Sequence, residues 1–329
     1  MILGIDIGGA NTKFASFDSK FIESHYLPLW KGADVFGLLT DIKKRVNPII
    51  VSVVMTGELS DCFSGKDEGV LWIYENVISV FPNTKFLNIN CTFKDDVRSD
   101  PKEFAAANWV ASSNFLGKKF KNALFIDMGS TTTDIIPIVD GKPTAEKTDY
   151  ERLKRNEMIY SGLLRTNIAV LLPKVKIDGD FCATSSELFA VTADAYLMLD
   201  DISKEEYTCE TPDTYAFENT NESKSKESAF RRLSKVVCAD PDELGYEGAL
   251  SIAKQVKEHQ INELALAINA IKDRCNVDMI IACGIGELLV KEAACQVDIK
   301  CILTSELYGK NVSSVLPAYA ASRLLKDQV

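Results

Sequence analysis

Histidine is nearly missing from this chain: its 329 residues include two, His25 and His259. Neither lies within a serine, cysteine or metal-ligand motif. A histidine-based triad or a His-zinc centre is therefore set aside, and both read as structural or exposed. Excess positive charge is missing too. Lys and Arg number 37 against 47 Asp and Glu, a net charge of −10, which excludes a broad nucleic-acid-binding face. An anionic ligand must be met by local donors and a metal ion. No apolar run approaches the roughly 20 residues of a membrane span. The chain opens directly on a strand-like stretch, with no signal peptide. Both features predict a soluble, cytoplasmic protein with no membrane partner. Nine cysteines are present, none in a Cys-x-x-Cys pair, and they read as small buried hydrophobes in a reducing compartment.

What is present suffices for two packed domains, with 46% hydrophobic and 26% charged residues. Two segments a domain apart share one design. One is Ile2-Leu3-Gly4-Ile5-Asp6-Ile7-Gly8-Gly9-Ala10-Asn11-Thr12-Lys13, the other Leu124-Phe125-Ile126-Asp127-Met128-Gly129-Ser130-Thr131-Thr132-Thr133-Asp134. In each, an apolar strand ends in Asp, turns through Gly and continues into hydroxyl or amide residues. Such a hairpin can wrap a phosphate. Glycine lets the backbone take left-handed angles and approach the ligand. Hydroxyls and turn amides donate to phosphate oxygens. The Asp can hold a divalent cation or orient a nucleophile. One strand-Asp-Gly turn is common; a pair, one near the start of each half, is informative.

Strand patterns over residues 2–7, 13–18 and 21–27 precede a helix over 33–45, a buried strand over 49–54, a helix over 68–81 and a strand over 85–90. Asp100 and Pro101 open a helix predicted to reach Phe115, with Gly117 as its stop signal. The pattern then restarts with a strand from Ala123, another over 135–139 and a turn at Asp140-Gly141-Lys142. That repetition argues for two similar halves facing each other. From about Leu163 the spacing is mainly helical. Residues 203–228, acidic and polar, read as a loop. Asp240-Pro241-Asp242-Glu243 opens a helix, and amphipathic stretches cover 244–256 and 262–274. A short strand over 279–283 runs into Gly284-Ile285-Gly286. A strand over 300–303 and a helix over 312–326 close the chain.

The two Asp-Gly hairpins and the late strand ending in Gly-x-Gly, in that order, resemble the superfamily of acetate and sugar kinases, Hsc70 and actin. The resemblance implies an α/β fold of two ribonuclease-H-like domains around a cleft. Residues 1–120 plus 317–329 would form the first, and residues 121–316 the second with a helical insertion. A narrower resemblance rests on five stretches. They are Met55-Thr56-Gly57-Glu58-Leu59-Ser60-Asp61-Cys62-Phe63 with Lys66 and Glu68-Gly69-Val70; Ala105-Ala106-Ala107-Asn108-Trp109; Asp127 through Pro137; Tyr160-Ser161-Gly162-Leu163-Leu164-Arg165-Thr166; and Ala193-Asp194-Ala195-Tyr196. These are similar to the hydantoinase A/oxoprolinase group, in particular a branch serving archaeal methanofuran biosynthesis and methanopterin-linked one-carbon metabolism.

That branch implies a transferase that joins the phenol oxygen of γ-glutamyltyramine to the methylene of an aminomethylfuran-methyl diphosphate, without ATP. The implied site follows residue by residue. Gly8, Gly9, Asn11, Thr12, Lys13, Gly129, Ser130, Thr131 and Thr132 would cradle diphosphate. Asp6 and Asp127 would hold Mg²⁺. Asp6, Asp134 and Glu58 are the catalytic candidates, and Lys154 and Arg165 would meet substrate anions. Gly284 and Gly286 would form the loop that holds adenosine in the wider superfamily. The rival readings are an ATP-dependent kinase using Asp6 or Asp134 as base, an ATP-coupled amide or lactam hydrolase, and a nucleotide switch. The sequence leaves oligomeric state open, a homo-oligomer included.

Overall fold

The computed structural model describes residues 1–212 and 223–329; residues 213–222 of the expected acidic loop lie outside them. Strands β1 (Ile2–Gly8), β2 (Asn11–Ser16) and β3 (Ile22–Tyr26) form an antiparallel meander. Helix α1 (Val35–Val46), strand β4 (Ile50–Thr56), helix α2 (Lys66–Val80) and strands β5 (Thr84–Leu87) and β6 (Phe93–Lys94) follow. The sheet order is β3-β2-β1-β4-β5-β6, with β4 parallel to both β1 and β5. Strand β1 is buried from Ile2 to Ile7. It lies inside the sheet with both faces covered, so it reads as an apolar run rather than an alternating one.

The second half repeats this plan. Helix α3 (Asn108–Gly117) leads into β7 (Ala123–Met128), β8 (Thr133–Val139), β9 (Lys142–Pro143), α4 (Asp149–Lys154) and β10 (Met158–Ile159). A largely helical stretch follows: α5 (Ile168–Leu171), a hairpin of β11 (Lys174–Ile177) and β12 (Asp180–Ala183), then α6 (Thr192–Met198), α7 (Lys226–Val236) and α8 (Pro241–Lys272). Strand β13 (Met279–Cys283), α9 (Glu287–Gln296), β14 (Lys300–Leu303), α10 (Thr304–Tyr308), α11 (Lys310–Ser313) and α12 (Leu316–Lys326) complete the chain. The order β10-β8-β7-β13-β14 again sets an antiparallel hairpin beside two parallel strands. Two short strands, β9 and β10, share the edge of β8 that one longer strand occupies in the first sheet.

Helices α3 and α12 pack in one apolar core with residues of both sheets, among them Ala15 and Val54 of the first and Phe125, Ile136 and Ile281 of the second. Helix α12 is buried on nearly all sides, with only Arg323 and Lys326 accessible. All-round burial suits its Leu-Pro-Ala-Tyr-Ala-Ala-Ser sequence, which lacks a polar face. Contact with β1 is so close that a Cβ at Gly4 would lie 1.8 Å from the Ala318 carbonyl oxygen.

Several expectations are corrected. The helix predicted from Asp100 to Phe115 is a 3-10 turn over Pro101–Phe104, a break, and then α3. The break turns at Ala106, which holds φ 50°, and Ala107 donates its amide to Met55 O at the end of β4. Tertiary anchoring overrides the helix propensity of three alanines. The stretches 244–256 and 262–274 are one helix, kinked near its start at Gly245 (φ 71°). The polar residues between them include Gln260, which is buried and bonds Tyr196, Ser161 and Gly162. Hairpin β11–β12 was not anticipated, although Asp178-Gly179 (φ 50° and 96°) is the same turn signal as Asp140-Gly141. The final helix starts at Leu316. Of the cysteines, Cys209 and Cys283 are buried, whereas Cys62, Cys238 and Cys295 are exposed.

Candidate active site

Both Asp-Gly turns direct their carbonyl groups into their own lobe. Gly9 O accepts from Leu29 N at 2.9 Å and Ala10 O from Leu27 N at 2.8 Å. In the other lobe Gly129 O accepts from Leu163 N at 3.0 Å, and Ser130 O from Arg165 N at 2.9 Å. The amides of Gly9, Ala10, Ser130 and Thr131 find no protein acceptor among the described residues. Turns with spent carbonyls and open amides are anion-binding concavities. Gly162 keeps the second turn in place: a Cβ there would sit 2.5 Å from Thr131 N. Ser130 Oγ and Thr131 Oγ1 lie 3.4 Å apart, and Asn11 is partly accessible. Thr12 is fully buried, its hydroxyl without a partner.

The acidic residues converge between the turns. Asp6 faces Lys13 across β1 and β2, and Asp127 faces Asp134 across β7 and β8. Burial pushes Asp6 up to about 6, with Lys13 opposing and Asp134 adding to the rise. Burial likewise pushes Asp127 up to about 7, against Lys13 and reinforced by Asp134, Asp6 and Glu287. Lys13 thus acts on carboxylates of both lobes. Asp6 Oδ1 is buried with no hydrogen-bond partner, so it has an open position for a cation. No three His, Cys, Asp or Glu side chains among the described residues form a ready metal cage.

Asp134 is held by a residue that sequence reasoning passed over. Arg152 Nη1 donates to Asp134 Oδ1 at 2.8 Å, and Nη2 donates to Asp149 Oδ1 at 2.7 Å. The guanidinium is buried and lies 5.1 Å from the Trp109 ring centroid. Burial raises the Asp134 pKa, and Arg152 opposes that rise. The cation expected from this segment is Lys154. It is solvent-exposed, pairs with Glu151 at 2.8 Å and lies over Tyr150. Thr148 caps α4 by accepting from Glu151 N. Asp149 and Arg152 then share the inner face at i,i+3, which leaves Glu151 and Lys154 on the other.

Glu58 follows β4 and is clamped by glycines. A Cβ on Gly57 would lie 3.1 Å from the Gly8 carbonyl carbon, and one on Gly69 would lie 2.3 Å from Glu58 O. The side chain is 1% exposed and its Oε2 has no partner. Burial pushes it up to about 7, Asp149 adds to the rise, and its own amide, Lys66 and the Ala106 amide oppose it. Arg165 stacks 4.5 Å over Trp30 from the facing lobe, and Lys31 pairs with Glu210 at 2.6 Å nearby. Gly284 holds φ 85° because a Cβ would meet Met128 O at 2.4 Å and Asp127 Oδ1 at 2.5 Å; Gly286 is pressed on the Met128 side chain. Both glycines therefore already have a packing reason to lack side chains. Two open depressions of about 550 and 490 Å³ lie elsewhere, along the outside of α8 near Lys254 and Glu258.

Two ribonuclease-H-like lobes that face acidic, amide-lined turns toward each other define the actin-like ATPase class of fold. A glucokinase of the ROK family from Streptomyces griseus, solved with glucose and AMPPNP, has this fold. It matches at TM-score 0.50 with 10% identity, covering 98% of both chains. An acetone carboxylase matches at TM-score 0.52 with 9% identity, covering 98% of this chain and 70% of the other. Within that class the chain belongs to the hydantoinase/oxoprolinase family, whose model matches residues 50–328. A relative from Methanocaldococcus jannaschii is 37% identical over 337 residues, 100% of this chain and 98% of its own. It is named (4-{4-[2-(γ-L-glutamylamino)ethyl]phenoxymethyl}furan-2-yl)methanamine synthase. A protein of the same name from Methanococcus vannielii is 36% identical over 213 residues, 64% of this chain and 93% of its own. Among the described residues no helix is long and apolar enough to cross a membrane.

Proposed function

We propose that the chain is a transferase of methanofuran biosynthesis. It joins the phenol oxygen of γ-glutamyltyramine to the methylene carbon of an aminomethylfuran-methyl diphosphate. The aryl C–O–C ether forms as the methylene–diphosphate bond breaks, diphosphate leaves, and the phenol proton passes to a carboxylate. The observation carrying this reading is the end-to-end 37% identity to a relative whose name describes that ether.

The chemistry suits the residues. A furan-methyl carbon bears positive charge readily because the ring oxygen donates electrons. The barrier then lies largely in charge growing on the departing diphosphate. Fixed donors at that position are the most effective help a protein gives, each worth about 3 kcal/mol. The open amides and hydroxyls of the two turns supply such donors, and Lys13 supplies a cation. Asp6 and Asp127 would hold Mg²⁺, which when bound neutralises leaving-group charge. The phenol has an ordinary pKa of about 10 and needs a base. We assign that role to Asp134, because Arg152 engages only its Oδ1. Arg165, beside the second turn, meets the one free carboxylate of the glutamyl group, at its α-carbon.

Pure protein given both substrates and Mg²⁺ is expected to yield ether and diphosphate without ATP; product that appears only with ATP would overturn the assignment. Asp6→Asn is expected to lower turnover at least 100-fold with a native circular dichroism spectrum. Near-normal turnover in that variant would remove the metal-holding role.

A further inference from the structure

We propose that Arg165 and Trp30 form a carboxylate subsite shared by the two lobes and separate from the diphosphate cradle. It makes the enzyme select a phenol that carries a carboxylate-bearing acyl group over the free phenolic amine. The identity of that acyl group rests on the function proposed above; the preference for an anion rests on the geometry.

The chain has nine arginines. Among the described residues, eight have a guanidinium bonded to a carboxylate, to a serine or to a tyrosine hydroxyl. Arg165 is the ninth, with neither a hydrogen bond nor an ion pair from its side chain. It is partly accessible, and its guanidinium lies 4.5 Å from the centroid of the Trp30 ring. Indole is the aromatic ring that holds a cation best. Stacking spends the face of a guanidinium and leaves its five N–H groups, which lie in the plane, free at the edge. A fork held this way suits a planar anion with two oxygens, a carboxylate above all. The charge nearby does not cancel it. Lys31, next to Trp30, pairs with Glu210 of the facing lobe at 2.6 Å, so those two neutralise each other and the charge of Arg165 is left over.

The diphosphate position is a different one. A trans peptide points its C=O and N–H in opposite directions. Arg165 N is bonded to Ser130 O, and Leu29 N, one residue before Trp30, to Gly9 O. The amides that share those peptide groups belong to Thr131 and Ala10. They are among the open ones, and they point the other way. Arg165 and Trp30 are thus rooted behind the surface that would receive diphosphate. Each comes from a different lobe, so Trp30 acts as a positioning residue for a guanidinium that its own lobe does not carry. γ-Glutamyltyramine has its phenol at one end and its one free carboxylate at the other. Tyramine ends in an ammonium instead, which an uncompensated guanidinium repels, and repulsion of the wrong ligand is half of specificity.

Two acceptors that differ by a single carboxylate test the subsite: N-glutaryltyramine, which has it, and N-butanoyltyramine, which has hydrogen in its place. Each is offered with the furan diphosphate and Mg²⁺ to wild type, Arg165→Gln, Trp30→Leu and Trp30→Phe. Wild type is expected to favour the glutaryl acceptor about 100-fold in kcat/KM, through KM more than kcat. That preference is expected to fall to about tenfold or less in Arg165→Gln and Trp30→Leu, and to return in Trp30→Phe, which keeps a ring under the guanidinium. Equal losses on both acceptors, or an unchanged preference in Arg165→Gln, overturn the subsite. Titration of the two acceptors into wild type and Arg165→Gln gives a readout without turnover. A preference of about tenfold or more that disappears in the variant supports the subsite, and equal binding by wild type overturns it. Inorganic diphosphate separates the two anion positions. If Arg165→Gln weakens its binding about tenfold or more, the guanidinium belongs to the diphosphate cradle and the subsite falls. If γ-glutamyltyramine itself fails to react, the proposed function falls, and the titrations still decide the carboxylate subsite.

Discussion

A carboxylate buried without a counter-charge costs stability whenever it is ionised, and Glu58 makes that cost measurable. Its ordinary value of 4.5 rises to about 7 in the folded chain. Below the unfolded value it is neutral in both states and carries no penalty. As pH climbs through the folded value, the unfolded chain is favoured by up to about 3 kcal/mol. Glu58→Gln removes that term. The variant's stability relative to wild type, from urea unfolding without ligand, should therefore improve by about 1–3 kcal/mol between pH 4.5 and pH 8. A difference independent of pH would mean that Glu58 stays paired in the folded state. At this scale the sequence was legible where chemistry is local. Asp6 and Asp127 could be found because a strand, an Asp and a Gly stand side by side in the chain. Arg152 could not, because Arg152 and Lys154 are two cations on one short helix, and only tertiary packing decides which one faces Asp134. Trp109 lay inside a motif quoted for family likeness, yet nothing in the sequence predicted a guanidinium above its ring.

Among the elements, strands and turns were easier to foresee than helix boundaries. The Asp-Gly hairpins follow from backbone conformation and need no distant partner. The break at Ala106 is imposed from outside, by contacts to β4 and Glu58 that local propensity does not register. Close packing of glycines against the turns could not be read either, since their partners are remote in sequence. Gly162 is the most consequential. It supports the turn of Ser130 and Thr131 from a segment some thirty residues downstream, where a Cβ would press on Thr131 N at 2.5 Å and on Ser130 C at 2.6 Å. Gly162→Ala should displace that turn and lower kcat/KM about 100-fold or more, since misplacement by about 1 Å costs that much. Gly179→Ala is the control. Gly179 has φ 96° but open space around it, so its cost should appear as about 1 kcal/mol in stability, with kcat/KM close to wild type. Matching losses of activity in the two variants would show that the turn tolerates movement.

Across the whole molecule, the two sheets share a core. Residues from both sheets pack around α3 and α12, so neither lobe can expose its face of that core without disturbing the other. Ligand contacts would act in the same sense. The turn amides come from both lobes, Lys13 of one influences Asp127 and Asp134 of the other, and Arg165 stacks on Trp30 across the cleft. An anion held between the turns should therefore stabilise the molecule as a unit. In calorimetry the chain should unfold in a single transition. Inorganic diphosphate with Mg²⁺, at about 100 times its dissociation constant, should add about 2.7 kcal/mol to the whole of it. Asp127→Asn should abolish that gain if, as proposed, the carboxylate of the second lobe holds the ion together with Asp6. Two separate transitions, with diphosphate moving only one, would mean that the anion sits within a single lobe. The facing turns would then be related by duplication alone, without a ligand in common.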